Sequence, residues 1–133
     1  AAAPQLAGGG QLVFVGSIAG LVGVGQEAAY CAAKAGLRGL ADSLREEWPG
    51  AKVTLVSPGP VDTAFFDRRN RPYLRSWPKP VPVSKVVFAI VRALEHPRAE
   101  VVVPTWLELA ARLHGGLPEV YRALAGLNRQ VAH

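Results

Sequence analysis

Residues 12–34 read LVFVGSIAGLVGVGQEAAYCAAK, and the reading of this stretch decides the fold. Leu12-Val13-Phe14-Val15 is a continuous apolar, partly β-branched run flanked by glycines, as expected of a strand buried on both faces of a parallel sheet. Gly16-Ser17 follows at its carboxyl end. The loop Ile18 to Gln26 then carries Gly20, Gly23 and Gly25, which permit tight turns and close backbone approach. From about Glu27 to Trp48 the period becomes helical: Ala33, Leu37, Leu40, Leu44 and Trp48 form an apolar stripe, with Arg38, Asp42, Arg45 and Glu46 opposite. Small residues (Ala28, Ala29, Ala32, Ala35, Gly36, Gly39) would let this helix approach a neighbour closely. Gly36 and Gly39 each cost about 1 kcal/mol against alanine in a helix, and close packing is a reason to keep them. Pro49-Gly50 ends the helix.

Working outward, Lys52 to Ser57 reads as a second strand, stopped by Pro58-Gly59-Pro60, which cannot continue a ladder. Between Phe65 and Pro80 lie Arg68, Arg69, Arg71, Arg75 and Lys79 against only Asp67. No helical basic face supports nucleic-acid binding there, and Pro72, Pro78 and Pro80 fit an irregular solvated loop. A second amphipathic helix is expected from Ser84 as N-cap, with Val87, Ile90, Val91 and Leu94 as its apolar stripe, closed by His96-Pro97. Val101-Val102-Val103 is a third short strand stopped by Pro104. Two helices are expected after it, near Trp106 to His114 and Pro118 to Gln130, with Leu109, Leu113, Val120, Tyr121, Leu124 and Leu127 at helical spacing. Strand, helix, strand, helix, strand is the pattern of right-handed βαβ crossovers, so the fold class is α/β with a parallel sheet.

Composition sets bounds around this reading. At 133 residues the chain holds one domain with no internal boundary, and with half its residues apolar and 19% charged it has a globular composition. The single cysteine, Cys31, excludes an internal disulfide and a cysteine-based metal site, and suits a reducing, cytoplasmic setting. No apolar run is long enough to span a bilayer, and no signal-peptide pattern is present. The absence of methionine, and an opening Ala1 to Ala7 that reads as the last turns of a helix closed by Gly8-Gly9-Gly10, suggest a chain that continues upstream.

In open parallel sheets, ligands bind outside the carboxyl ends of the strands. Ser17 lies at one such end and the Pro58-Gly59 turn at another. On a helix, Tyr30 and Lys34 share a face, about 6 Å apart along the axis. An ordinary tyrosine is a poor base at neutral pH, but a nearby ammonium favours the phenolate. Such a tyrosine can exchange a proton with an alcohol or carbonyl oxygen that Ser17 holds by a hydrogen bond. No side chain can donate a hydride, so a nicotinamide cofactor would have to supply it. A Tyr/Lys pair at this spacing is also common on helix surfaces, and a serine after a strand is commonly a cap. The conjunction with a buried strand, a glycine loop and a Pro-Gly strand end raises the pair above that background.

The conjunction resembles the C-terminal half of the short-chain dehydrogenase/reductase family over essentially the whole chain. The residues carrying the resemblance are Ser17, the Tyr-x-x-x-Lys segment Tyr30-Cys31-Ala32-Ala33-Lys34, and Pro58-Gly59-Pro60-Val61-Asp62-Thr63. The resemblance implies the C-terminal part of a Rossmann-type doubly wound sheet, three strands with flanking helices, and reversible NAD- or NADP-dependent carbonyl–alcohol interconversion of a small molecule. By the same resemblance Tyr30 is the acid/base, Ser17 positions the substrate oxygen, and Lys34 assists Tyr30 and binds the nicotinamide ribose. Pro58, Gly59, Val61 and Thr63 would line the nicotinamide, Val61 through its backbone, and the Phe65–Pro80 segment would cover the substrate.

Equally informative is what residues 1–133 lack: the Gly-rich pyrophosphate turn, the residue choosing NAD or NADP, the Asn-Ala-Gly segment and the catalytic asparagine of the family. Gly8-Gly9-Gly10 precedes a strand instead of following one. The expectation is a chain holding the proton-transfer half of a site, marginally stable and inactive by itself. A two-state melt with cofactor-dependent alcohol oxidation by this polypeptide would contradict it. The alternative is a non-catalytic module using the Glu27–Trp48 helix as a dimer face, and a homodimer or homotetramer is implied either way. Trp106, Tyr121 and the apolar stripes permit a membrane-surface contact, though burial against the core explains them equally well.

Overall fold

The computed structural model describes residues 9–68, 73 and 77–130, so the Ala1–Gly8 helix end and Arg69, Arg71 and Arg75 lie outside the described residues. Strands β1 (Gln11–Val15), β2 (Lys52–Pro58) and β5 (Glu100–Val103) form one parallel sheet in the order β1-β2-β5. Their register pairs Leu12 with Val53, Val15 with Val56, and Val56 with Val101. Central β2 is buried from Val53 to Pro58, whereas β1 is only half-buried and Val15 is exposed. The expectation of a strand buried on both faces therefore fails for β1. It is an edge strand, paired on one side only among the described residues.

Helix α1 (Ala28–Glu47) covers one face of the sheet. Ala41, Val53 and Leu55 form the core there, with Leu12, Phe14, Leu37 and Leu44 packed against them. The expected stripe is shifted. Ala41 is fully buried and Leu40 is 47% exposed, because a methyl side chain lets the helix lie close to the sheet and turns its neighbour outward. Ala33 is likewise exposed. The small residues at 28, 29, 32, 35, 36 and 39 are all exposed, and a Cβ on Gly36 or Gly39 would meet nothing within 4 Å. Arg45 fastens the end of α1, with Nε donating to the Val53 carbonyl at 2.9 Å and the guanidinium also reaching the Ala99 carbonyl and Asp42.

On the other face, α3 (Val83–Glu95) packs Val86, Ala89, Ile90 and Ala93 on Val56 and Val103. Gln11 Nε2 donates to the Ala93 carbonyl at 2.8 Å and ties this helix to β1. Two expectations are corrected here. The N-cap is Pro82, in extended conformation with no side-chain cap, so Ser84 sits inside the first turn. Val87, Val91 and Leu94 are exposed, because the apolar arc of α3 opposite Ser84, Lys85, Arg92 and Glu95 is wider than the sheet covers, and periodicity does not say which part of it packs.

The segment expected as an irregular loop, Phe65 to Pro80, holds one small element among its described residues and is flanked by another. A two-residue bridge pairs β3 (Val61–Asp62) with β4 (Val81–Pro82), and a single turn, α2 (Phe65–Arg68), lies between them. Thr63 Oγ1 accepts from the Phe65 N–H at 3.3 Å and starts that turn. Helices α4 (Trp106–Gly116) and α5 (Pro118–Gln130) follow as expected. The buried anchor of α4 is Leu107, while Leu109 is exposed. Val120 and Leu124 are exposed too, and α5 meets α4 through the edge-on contact of Tyr121 with His114, centroids 5.0 Å apart. No helix among the described residues is long and apolar enough to cross a membrane.

Candidate active site

The parallel pairing of β1 with β2 brings the two strand ends together. Gly16 N–H donates to the Val56 carbonyl at 2.7 Å, so the Ser17 loop and the Pro58-Gly59 turn leave the sheet side by side. A Cβ at Gly16 would lie 2.9 Å from Leu55 Cδ1 and 3.3 Å from Ser57 Oγ, so only glycine fits this crossing without displacing a neighbour. Ser17 is extended and caps a short 3-10 turn, Ile18–Gly20, its Oγ accepting from the Ala19 N–H at 3.2 Å. The hydroxyl is therefore a cap, and it keeps its own O–H to donate.

That turn abuts α1. A Cβ on Gly20 would stand 2.7 Å from both the carbonyl carbon and oxygen of Lys34 and 3.0 Å from the Ala35 nitrogen. Of the three loop glycines, Gly20 alone makes the anticipated close approach, and Gly23 and Gly25 have open space around them. The loop is held a second time at Cys31, whose Sγ accepts from the Val24 N–H at 3.4 Å.

Lys34 reaches from α1 back to the strand end, its Nζ donating to the Val15 carbonyl at 3.1 Å. The same ammonium lies 5.7 Å from the centroid of the Tyr30 ring, one helical turn earlier. Both side chains are half-buried. A cation and a phenol ring thus sit together at the carboxyl end of β1, where Ser17 opens the next loop. The arrangement can hold an oxygen atom of a ligand and exchange a proton with it.

The second wall is partly committed to structure. Pro58 and Gly59 are buried, and Gly59 N–H donates to the Val103 carbonyl at 2.7 Å. The β3–β4 bridge uses the Pro60 carbonyl, which accepts from Val81 N–H at 2.9 Å. By the alternation of a ladder, Val61's own N–H and C=O face away from β4. Thr63 is exposed, its Oγ1 occupied by the Phe65 N–H.

The sequence suggests Phe65, Phe66, Tyr73 and Trp77 as an apolar or aromatic pocket cover, with the neighbouring arginines tolerating an anionic group, but three contacts here were not foreseen. Phe65 packs its ring 5.7 Å from that of Tyr30 and begins an aromatic row: Phe65 to Phe66 is 5.3 Å and Phe66 to Tyr73 is 5.0 Å. Tyr73 Oη donates to the Pro78 carbonyl at 2.6 Å. The anchor on the Val15 carbonyl and the seat of Gly20 on the Lys34 peptide are the other two. All three depend on backbone position, which residue spacing along the chain does not encode.

Comparisons with known proteins bear on the family and the fold. The family model described as short chain dehydrogenase matches residues 1–73. A 3-oxoacyl-[acyl-carrier-protein] reductase, MabA, of Mycobacterium avium is 46% identical over 56 residues, 41% of this chain and 22% of that protein. An uncharacterised oxidoreductase of Mycobacterium tuberculosis is 35% identical over 102 residues, 74% of this chain and 38% of the relative. Among solved structures, a short chain dehydrogenase from Burkholderia cenocepacia in complex with NADP superposes with a TM-score of 0.75 at 29% identity, covering 91% of this chain and 49% of that one. The chain thus matches less than half the length of each of these proteins. The family model spans more than half of this chain, and by that match the chain belongs to the short-chain dehydrogenase family of oxidoreductases.

Proposed function

We propose that this chain carries the proton-transfer half of an NAD(P)-dependent carbonyl–alcohol oxidoreductase site. The observation that carries the reading is the placement of Lys34, bonded to the Val15 carbonyl at 3.1 Å and 5.7 Å from the Tyr30 ring centroid. An ammonium anchored on a strand end beside a phenol has no evident structural task. Its bond is exposed, and exposed bonds of this kind contribute little to stability.

In this reading the Tyr30 hydroxyl gives its proton to the carbonyl oxygen during reduction and takes it back during oxidation. Ser17 keeps its cap bond and donates its own O–H to the same oxygen. Lys34 supplies positive charge beside the phenol and a donor for the ribose hydroxyls of the nucleotide.

The residues present fit the nicotinamide end of the cofactor. Val61 has backbone groups turned away from β4, able to meet a carboxamide, and Pro58, Gly59 and Thr63 would line the nicotinamide beside it. When bound, the cofactor would supply the hydride. The relatives include a reductase, and the Burkholderia cenocepacia structure is a complex with NADP, which supports a nicotinamide cofactor here without choosing between NAD and NADP. The pyrophosphate cradle is not among residues 1–133.

Phe65, Phe66 and Tyr73 offer an apolar wall starting at the reacting tyrosine, which supports a substrate whose carbonyl is borne on an apolar or aryl body. The exposed small-residue face of α1 supports a homodimer or homotetramer through that helix, a surface that would equally serve a non-catalytic interaction module.

Isotope transfer tests the reading. The natural full-length protein would be supplied with nicotinamide cofactor deuterated at the transferring position and a panel of aryl and alkyl ketones. Deuterium at the carbinol carbon of the product is expected. Binding of the cofactor with no deuterium transfer to any ketone would favour the interaction module.

A further inference from the structure

Beyond the aromatic row that starts at Tyr30 lie two indoles. Trp77 and Trp106 stack with centroids 4.6 Å apart and planes 30° apart, yet they stay 55% and 43% exposed. Trp106 is a fixed post. It opens α4, and the next residue, Leu107, is buried with its Cδ1 2.5 Å from the point where a Cβ on Gly59 would stand. The Leu107 N–H donates to the Pro104 carbonyl at 3.0 Å. One residue thus packs on the turn that ends β2, while its neighbour carries an indole to the covering segment.

Trp77 is tied to the other end of the row. The Tyr73 hydroxyl donates to the carbonyl of Pro78, the residue after Trp77, at 2.6 Å. Aromatic side chains therefore follow one another from the reacting position to α4, through that hydrogen bond at Tyr73 and through ring contacts elsewhere. From Tyr30 to Tyr73 successive rings meet at 50°, 81° and 45°. None of these contacts offers the parallel faces that stack on a flat ring system. A flexible alkyl chain can bend from ring to ring and bury methylenes on each.

We propose that the Trp77–Trp106 pair seats the far end of an alkyl chain borne by the substrate carbonyl, and so sets the chain length that is preferred. The proposal rests on the reading of Tyr30 as the acid/base and adds the class of group behind the carbonyl. The ring-to-ring steps from Tyr30 are 5.7, 5.3 and 5.0 Å. With C–C bonds of about 1.5 Å, a chain following the rings crosses each step in about four carbons. About twelve carbons then carry it to Tyr73, and only chains of that length or longer touch the indoles. A clasp that merely fastened the covering segment to α4 would act on every substrate alike, whereas a seat acts only on chains that reach it.

Turnover of 2-alkanones of about four to sixteen carbons by the natural full-length protein tests it, with cofactor deuterated at the transferring position. In the parent, kcat/KM is expected to rise about two- to fourfold per added methylene and to level off only beyond about twelve carbons. Trp106→Ala should cost at least about tenfold for the longest ketones and less than about twofold for those below about eight carbons. Trp106→Phe should restore most of that loss. A thermal melt checks that the variants fold, and if they do not, the parent profile alone decides. The proposal is overturned if the parent profile is flat or falls beyond about six carbons, or if folded Trp106→Ala loses equally on short and long ketones. It is also overturned if a planar polycyclic ketone of equal carbon number is turned over at least about tenfold faster than the alkyl one. A flat profile with deuterium in the products leaves the Tyr30 reading standing and removes only the seat. No deuterium in any product removes both.

Discussion

Replacing Gly20 with alanine should damage the site from outside it. The added Cβ would stand 2.7 Å from the Lys34 carbonyl carbon and oxygen and 3.0 Å from the Ala35 nitrogen, all backbone atoms that cannot rotate away. Ordinary contact begins near 3.4 Å, so loop and helix must part by about 0.7 Å. Overpacking of this kind costs about 1–3 kcal/mol. In a melt that corresponds to a loss of roughly 3–10 °C. The displacement falls on the peptide of Lys34, whose Nζ must still reach the Val15 carbonyl. Misplacement approaching 1 Å costs on the order of 10²-fold in rate, so kcat/KM should fall by about 10- to 100-fold. The matched control is Gly23→Ala, where the new methyl meets nothing within 4 Å and φ does not lie in the left-handed region. Thermal melts and cofactor-linked turnover of both variants, in the natural full-length protein, decide the matter. If Gly20→Ala melts and turns over as Gly23→Ala does, the reasoning that the loop sets the position of Lys34 is wrong.

Three further outcomes follow from the same geometry. Lys34→Met should lower kcat by about 10²-fold or more while changing stability by less than about 1 kcal/mol, since the lost bond is exposed; steady-state kinetics with a denaturant titration would measure both. Phe65→Ala removes the ring packed on Tyr30, and should lower kcat/KM about 10- to 100-fold for bulky apolar ketones while sparing small ones, read from a substrate series. Gly36→Arg should weaken self-association in sedimentation at unchanged monomer stability, because nothing in the described chain lies against that position; an unchanged oligomer would remove α1 as the subunit contact.

The sheet was legible where burial was two-sided. Lys52 to Ser57, with Val53, Leu55 and Val56 apolar, and Val101 to Val103 are short runs closed by proline, and each forms a strand within a residue of expectation. Helix phase was less legible. In α1 and α3 apolar or small residues occupy more than one face, and the sheet takes Ala41, Val86 and Ala93 while Leu40, Val87 and Leu94 stay exposed. Hydrophobicity ranks leucine above alanine, but a helix lying close on a sheet selects small side chains. The Tyr30/Lys34 pair was legible because it depends only on helical spacing. What holds it in place was not: the Val15 carbonyl, the Gly20 contact and the Phe65 ring come from residues up to 35 positions away in the chain, brought in by the β1–β2 pairing and the α2 turn.

The central claim is that Tyr30 moves the proton, and its most direct test is Tyr30→Phe in the natural full-length protein. Single-turnover reduction of a ketone would be followed by loss of reduced-nicotinamide absorbance, with cofactor affinity measured separately by fluorescence titration. The substitution removes one hydroxyl and leaves the ring available to pack on Phe65. The account predicts a fall in the rate of hydride transfer of about 10²- to 10⁴-fold, with cofactor affinity unchanged within about threefold. Turnover retained within about threefold of the parent would contradict it and take the acid/base role away from Tyr30.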